Sequence, residues 1–288
     1  MRSEVFVVEQ DCVYQDMDGD DQKSIHLWLT VADKVVALAR VCPAGTHMKE
    51  ISIGRVITTI RGKGYGKQIM LHAIDVAKEH FGGATGFVGE GVLLECLKDE
   101  RVEKVLSISR KPCGHKHEKL EELITKDLLK LPEGDERLQG YDAMLYCAGI
   151  SANGLSEQQY RPVTYDIPLH LARILPDKEL MTYVYLSGAG TTADSKMMWA
   201  RVKAETENAI FAMPFKHTYA LRPTIMKPSK GQLHVKKLDR IYLLFYPLMR
   251  LMNQANPLSE IGRAVINVLE IGCDLHILES KDFKKLGK

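Results

Sequence analysis

None of the six cysteines, Cys12, Cys42, Cys96, Cys113, Cys147 and Cys273, stands in a C-x-x-C pair, which excludes the usual spacing of a zinc site and of a disulfide scaffold. Reduced thiols in a cytoplasmic protein fit that scatter. An excess of one charge is also missing. The formal net charge is +2, divided as −1 up to Phe81 and +3 over the remainder, so neither part has the basic footprint of a nucleic-acid binder. No apolar run reaches bilayer length: the longest, Ile241 to Met252, contains Pro247 and Arg250 and reads as an amphipathic helix packed on a core rather than a membrane contact. The opening Met1-Arg2-Ser3-Glu4-Val5-Phe6 lacks the apolar stretch of a signal peptide. Neither an internal repeat nor a low-complexity linker is visible.

What is there suits a globular protein. A chain of 288 residues, 45% hydrophobic and 26% charged, can bury one large core or two modest ones. Up to Phe81 the pattern predicts an acidic loop (Asp16 to Asp21), strands at His26 to Thr30, Lys34 to Val41 and Ile51 to Thr59, and a helix from Lys67 to His80. The rhythm changes at Gly82-Gly83. A helix (Glu90 to Lys98), a strand (Lys104 to Ser109), a loop, a strand (Asp142 to Ala148), a helix (Tyr165 to Leu175), a strand (Met181 to Ser187) and a helix (Met197 to Ala212) then alternate. That alternation marks a parallel, doubly wound sheet. The expected fold is α/β, with a small module over residues 1–81 and a Rossmann-like module over 82–288. Such a sheet has an apolar, central strand directly before its first glycine. Here Asp75-Val76-Ala77-Lys78-Glu79-His80-Phe81 reads as the end of a helix.

Arg61-Gly62-Lys63-Gly64-Tyr65-Gly66 follows a strand and opens a helix, which aims successive backbone N–H groups and a helix N-terminus at one anion. Glycine lets the backbone approach a pyrophosphate, and Arg61, Lys63 and Lys67 add charge. A Gly-rich turn before a helix is also an ordinary turn, so the surroundings matter. Upstream stand Arg2-Ser3-Glu4-Val5-Phe6-Val7-Val8-Glu9-Gln10, Tyr14-Gln15-Asp16, Asp18-Gly19-Asp20-Asp21 and Ile53-Gly54-Arg55-Val56. In that order these blocks resemble the small bacterial GNAT-superfamily N-acetyltransferases, from Met1 to about Phe81. The resemblance implies that Arg61, Gly62, Lys63, Gly64, Tyr65, Gly66 and Lys67 bind the pyrophosphate of acetyl-CoA, and that an amine attacks the thioester directly. It also implies a truncated module, because that family has a strand and helix before the Arg-Ser-Glu block and further strands after the helix ending near His80. Glu50, at a strand start, reads as a general base or as a solvated glutamate.

The second motif, Gly83-Ala84-Thr85-Gly86-Phe87-Val88-Gly89, has the G-x-x-G-x-x-G spacing that permits a tight turn, close approach to a pyrophosphate and helix-on-sheet packing. Strand Val105 to Ser109 ends at Arg110, flanked by Ser109 and Lys111, where a cation favours a ribose 2′-phosphate and hence NADP over NAD. Asp127-Leu128 stands where an adenine contact is expected, Cys147-Ala148-Gly149 closes another strand, and Tyr183 to Gly190 ends a third on Ser187. Continuing through Met198 to Lys203, Thr206-Glu207-Asn208 and Leu221-Arg222-Pro223, the ensemble resembles the atypical short-chain dehydrogenases grouped with NAD(P)-dependent epimerases. The resemblance implies a cofactor, NADP or NAD, held by Gly83, Thr85, Gly86, Phe87, Val88, Gly89, Arg110, Asp127, Leu128, Ala148, Gly149 and Lys203. In that family a serine orients the substrate, a tyrosine donates the proton, and a lysine four residues later binds ribose and lowers the tyrosine pKa. Ser187 and Lys203 match; the tyrosine position is Trp199.

An indole N–H donates a hydrogen bond but does not exchange a proton near neutral pH, so the acid/base step has no agent there. Lys203 reads equally as a surface helix lysine, and Ser187 as a strand-end hydroxyl. His115 and His117, beside Cys113, supply three possible ligands in one exposed loop without a fourth, so they read as solvated side chains and no metal site is expected. Three functional readings follow. The first is a GNAT-type acyltransferase fused to an NAD(P)-binding module, with oxidoreduction or epimerisation next. The second is a non-catalytic NADP(H)-binding protein. The third is a nonfunctional chimera, made by fusion or deletion, whose acetyltransferase piece is inactive and whose larger part still folds. The partner in each is a small molecule, without nucleic acid or a membrane span.

Overall fold

A computed structural model describes residues 18–43, 45–48, 51–81, 86–233 and 246–288, together with Val5. The chain divides into two compact units, 1–83 and 84–288. In the first, β1 (Ile25–Val31), β2 (Lys34–Cys42) and β3 (Ser52–Thr58) form an antiparallel sheet in that order, followed by α1 (Tyr65–Phe81). Val31 pairs with Lys34 across Ala32 and Asp33, both at positive φ (47° and 61°), the backbone of a two-residue hairpin turn that matches strand twist. Alternation along β2 turns Ala37, Ala39 and Val41 onto Ile69, Ala73 and Val76 of α1. Arg40, on the other face, is 1% exposed. Its guanidinium is met by Asp18 at 2.7 Å through two nitrogens and by Asp21 at 2.8 Å. That pairing holds the Asp18 carboxyl well below the usual carboxylate range. The acidic loop is thus the counter-charge of a buried arginine.

The second unit opens with α2 (Phe87–Lys98), β4 (Val105–Ser109), β5 (Leu120–Ile124) and β6 (Ala143–Tyr146). It continues through α3 (Glu157–Arg161), α4 (Ile167–Ile174), β7 (Thr182–Leu186), α5 (Met198–Phe211) and β8 (His217–Arg222). The last elements are β9 (Ile225–Lys227), β10 (Ala255–Pro257), α6 (Leu258–Ile271), β11 (Ile277–Glu279) and α7 (Ser280–Leu286). All strand pairs here are parallel: β11-β8-β7-β6, β4-β5 and the short β10-β9. The sheet is covered on both faces. Val184 and Leu186 of β7 join α2, α6 and α7 in one core, while Tyr183 and Tyr185 join α4 and α5 in the other. A strand buried on both sides reads as a continuous apolar run, which is why β7 is apolar throughout apart from Thr182. The architecture is mixed α/β.

Two local features show how sequence sets geometry. Ser156 caps α3 with a capping box through Gln159, and the chain then passes through a π turn at Pro162–Asp166 into α4. Pro168 has no N–H to give Thr164, and Ile167 donates to Pro162, so the Val163 and Thr164 carbonyls lose their helical donors. Tyrosine hydroxyls replace them: Tyr146 donates to Val163 O at 2.5 Å, and Tyr185 to Thr164 O at 3.0 Å, shared with Thr206. These buried phenols are structural donors. Elsewhere Gly91 lets α2 approach α6 so closely that a Cβ there would lie 2.7 Å from Leu258 Cδ1. Gly91→Ala is therefore expected to cost about 1–3 kcal/mol, as overpacking does, read as a lowered urea midpoint; an unchanged midpoint would show that the crossing can widen freely.

Candidate functional site

The glycine turn of the first unit joins β3 to α1. Gly62 and Gly64 adopt φ of 73° and 77°, which L side chains rarely take, and a Cβ at either would meet nothing within 4 Å. The turn is open to solvent, with Arg61, Lys63 and Lys67 exposed around it. Tyr65 begins α1 and packs on its core, and a Cβ at Gly66 would touch Thr58 Cγ2 at 3.4 Å, so these two residues seat the helix against β3. An open backbone turn at a helix N-terminus, ringed by cations, fits a pyrophosphate. Glu50 and the blocks Arg2 to Gln10 and Tyr14 to Asp16 lie outside the described residues, apart from Val5. Asp18, Asp20 and His47 could meet at one ion, but the Asp18 carboxylate is already neutralised by Arg40 and Arg55.

In the second unit Gly83, Ala84 and Thr85 also lie outside the described residues. Gly86 is the N-cap of α2, so the helix begins at Phe87, three residues before the expected start at Glu90. A Cβ at Gly89 would come within 3.3 Å of Cys147 Cβ, the close helix-on-strand packing that the third glycine permits. Arg110 is exposed at the end of β4, while Ser109 turns inward and donates to Lys111 O at 2.6 Å, so Ser109 is not a further phosphate contact. Asp127 accepts from Leu129 N at 3.1 Å and caps a short turn at Leu128–Lys130. β6 ends at Tyr146, ahead of Ala148 and Gly149. His115 departs from expectation. It is no solvated histidine: its Nε2 lies 2.7 Å from Glu90 Oε1, and Glu90 is fully buried. Leu233 N also donates to Glu90 at 2.6 Å, and Gln232 Nε2 donates to Phe87 O at 2.7 Å. Two loops therefore meet over the first turn of α2, a closure whose sequence signal was an acid directly after the third glycine. Cys96 and Cys147, pushed up to about 12 by burial, remain protonated thiols and offer no nucleophile.

Ser187, Trp199 and Lys203 come together. Ser187 is buried, its Oγ 3.1 Å from Thr191 Oγ1, and its N–H donates to Leu221 O. The indole of Trp199 covers the turn that follows, 3.8 and 3.9 Å from where Cβ atoms on Gly188 and Gly190 would sit. Lys203 is not a surface lysine. Its Nζ donates to Leu186 O at 3.0 Å beside the Tyr185 ring, and burial lowers its pKa to about 8. Beyond the strand ends, Ala189, Arg222, Thr224, Asn253, Glu279 and Lys281 line a polar cleft of about 420 Å³. The amine's folded value lies below its unfolded value, so its burial penalty is full below pH 8 and fades as pH rises towards about 10.4. Lys203→Met should thus stabilise the protein by about 2 kcal/mol at pH 7, net of the lost hydrogen bond, and destabilise it by about 1 kcal/mol at pH 10.4. Equal effects in urea unfolding at both pH values would rule out a buried charge as the cause.

A hairpin sheet with a glycine turn leading into a helix, and a parallel sheet covered by helices on both faces, define a mixed α/β chain of two unlike units. The chain is 31% identical over 156 residues to Protein FMP52, mitochondrial, of Candida glabrata, covering 53% of this chain and 65% of that protein. It is 36% identical over 93 residues to Protein ElaA of Escherichia coli, covering 31% of this chain and 61% of that protein. It spans less than two thirds of the length of each. No family model matches. The crystal structure of a UDP-glucuronic acid 4-epimerase from Bacillus cereus in complex with NAD superposes with a TM-score of 0.51 at 13% identity, over 67% of this chain and 74% of that one; at this identity the likeness is one of fold. The N-terminal part is similar to ElaA and the GNAT acetyltransferases, and the C-terminal part shares the fold of that epimerase. Among the described residues no helix is long and apolar enough to cross a membrane. The word mitochondrial in the FMP52 name belongs to that protein.

Proposed function

We propose that the chain joins a GNAT-type N-acyltransferase module, residues 1–81, to an NADP(H)-binding module of short-chain-dehydrogenase type, residues 82–288. The observation that carries the first half is the turn at Gly62 and Gly64, whose positive φ angles and open surroundings leave backbone N–H groups available beside Arg61, Lys63 and Lys67. These residues would hold the pyrophosphate of acetyl-CoA while an amine, the acyl acceptor, attacks the thioester. The second half rests on Gly86 and Gly89 at the start of α2 and on Arg110 at the end of β4. A second reading, NADP(H) binding without turnover, is favoured by Trp199 in place of an acid and by the Lys203 amine already bonded to Leu186 O. A cytoplasmic location belongs to the same proposal.

Calorimetric titration of the full chain with acetyl-CoA and with NADPH tests both halves separately. Binding of each supports the two-module reading, binding of NADPH alone the second, and binding of neither removes both. The cofactor preference has its own check. Replacing Arg110 with Asp is expected to reverse the preference for NADPH over NADH by one or two kcal/mol (about 5- to 30-fold), the size of a charge-assisted bond. Unchanged relative affinities would remove Arg110 from the site.

A further inference from the structure

The parallel sheet of the second unit lies in two pieces. β5 and β4 form one, β6, β7, β8 and β11 the other, and no hydrogen bond among the described residues joins β4 to β6. Both strands nevertheless serve the same two cores. Val105 of β4 and Leu145 of β6 pack with α2 and α6, while Leu106 and Ile108 of β4 and Met144 and Tyr146 of β6 pack with α4 and α5. A doubly wound sheet runs third, second, first, fourth, fifth, sixth. The place of the first strand, between β4 and β6, is filled by no described strand, and the residues ahead of the glycine turn form α1 instead. Burial marks the same gap: β7, with a strand on each side, is buried at every position, whereas 105–108 and 143–145 are only half-buried.

The backbone directions are determined by the bonds that exist. Val105 N donates to Lys119 O and Ser109 O accepts from Thr125 N, so odd residues of β4 face β5. Leu106 and Ile108 must then turn their N–H and C=O groups to the opposite edge. Asp142 O accepts from Thr182 N towards β7, which turns the groups of Ala143 and Leu145 the other way. Two strand edges thus offer donors and acceptors in half-buried apolar surroundings, where leaving them unpaired is costly.

We propose that the space between β4 and β6 is a strand-acceptor site for an extended apolar segment of another polypeptide, parallel to both neighbours and about five residues long, the length of β4. Its occupant is uncharged and rich in β-branched residues, because a parallel strand there is covered by helices on both faces. The site is built from backbone of β4 and β6 and stands whether or not a dinucleotide binds.

The probe is a synthetic peptide in which consecutive valines and isoleucines, about five of them, are flanked by lysines; its partner probe carries the same side chains on an N-methylated backbone. Amide hydrogen exchange of the full-length chain, read residue by residue by NMR, is the measurement. The first peptide is expected to slow exchange at Leu106, Ile108, Ala143 and Leu145 at least ten-fold, and the N-methylated one to leave it unchanged. Unchanged exchange at those four positions with the first peptide, equal slowing by both, or slowing confined to the outer strands β5 and β11 would each overturn the proposal.

Discussion

Trp199→Tyr is expected to raise NADPH-dependent carbonyl reduction by about 10²–10⁴-fold over the wild-type chain, the contribution of a positioned general acid. The geometry behind this is local. Residues 199 and 203 are four apart in α5 and share a face, and the indole already lies against the turn that follows Ser187. A phenol at 199 would stand between that turn and an amine whose pKa burial has brought down to about 8. The wild-type chain should oxidise NADPH slowly or not at all with simple aldehydes and ketones. Brisk turnover by wild type, or no gain in the variant while NADPH still binds, would show that 199 is not the acid position; the roles of Ser187 and Lys203 would fall with it.

The largest loss of stability is expected from Glu207→Leu, at about 3–5 kcal/mol, because it strands a charge inside the fold. Glu207 is 2% exposed in α5 and accepts from Arg222 at the end of β8, with Nε at 3.0 Å from Oε1 and the second guanidinium nitrogen on Oε2. Removing the carboxylate leaves the guanidinium half-buried without its partner. Adding Arg222→Met to Glu207→Leu should return most of the lost stability, since an apolar pair replaces a buried ion pair at little cost. Denaturant unfolding of both variants decides the matter. A double variant no more stable than the single would mean that the loss comes from packing around residue 207 rather than from the unpaired arginine.

Much of the framework was legible from neighbouring residues alone. The apolar run at Met181 to Ser187 predicted β7, observed as Thr182–Leu186, and the periodic stretch from Lys67 to His80 predicted α1, observed as Tyr65–Phe81. Short or locally atypical elements were not. β5 contains Glu121 and Glu122 among five residues and forms because β4 lies beside it, and β9, β10 and β11 have three residues each. The hairpin turn at Ala32-Asp33 lacks the glycine that usually announces positive φ. Helix α4 begins later than Tyr165 because two prolines break the regular bonding ahead of it.

Sequence by itself determined most of the element order up to α5, the change of rhythm at Gly82-Gly83, the glycine turn before α1 and the helix that stands in place of a lead-in strand ahead of Gly82, because each depends on residue types within a few positions. Tertiary structure alone decided which charges are buried and what each site residue touches. Asp18 and Asp21 close over Arg40, His115 reaches Glu90 across 25 positions, and Lys203 bonds to Leu186 O across 17. It also decided that the parallel sheet divides between β4 and β6. The physical reason is range: propensity and periodicity act along the chain, whereas strand pairing, desolvation and ion pairing depend on groups that become neighbours only once the chain has folded.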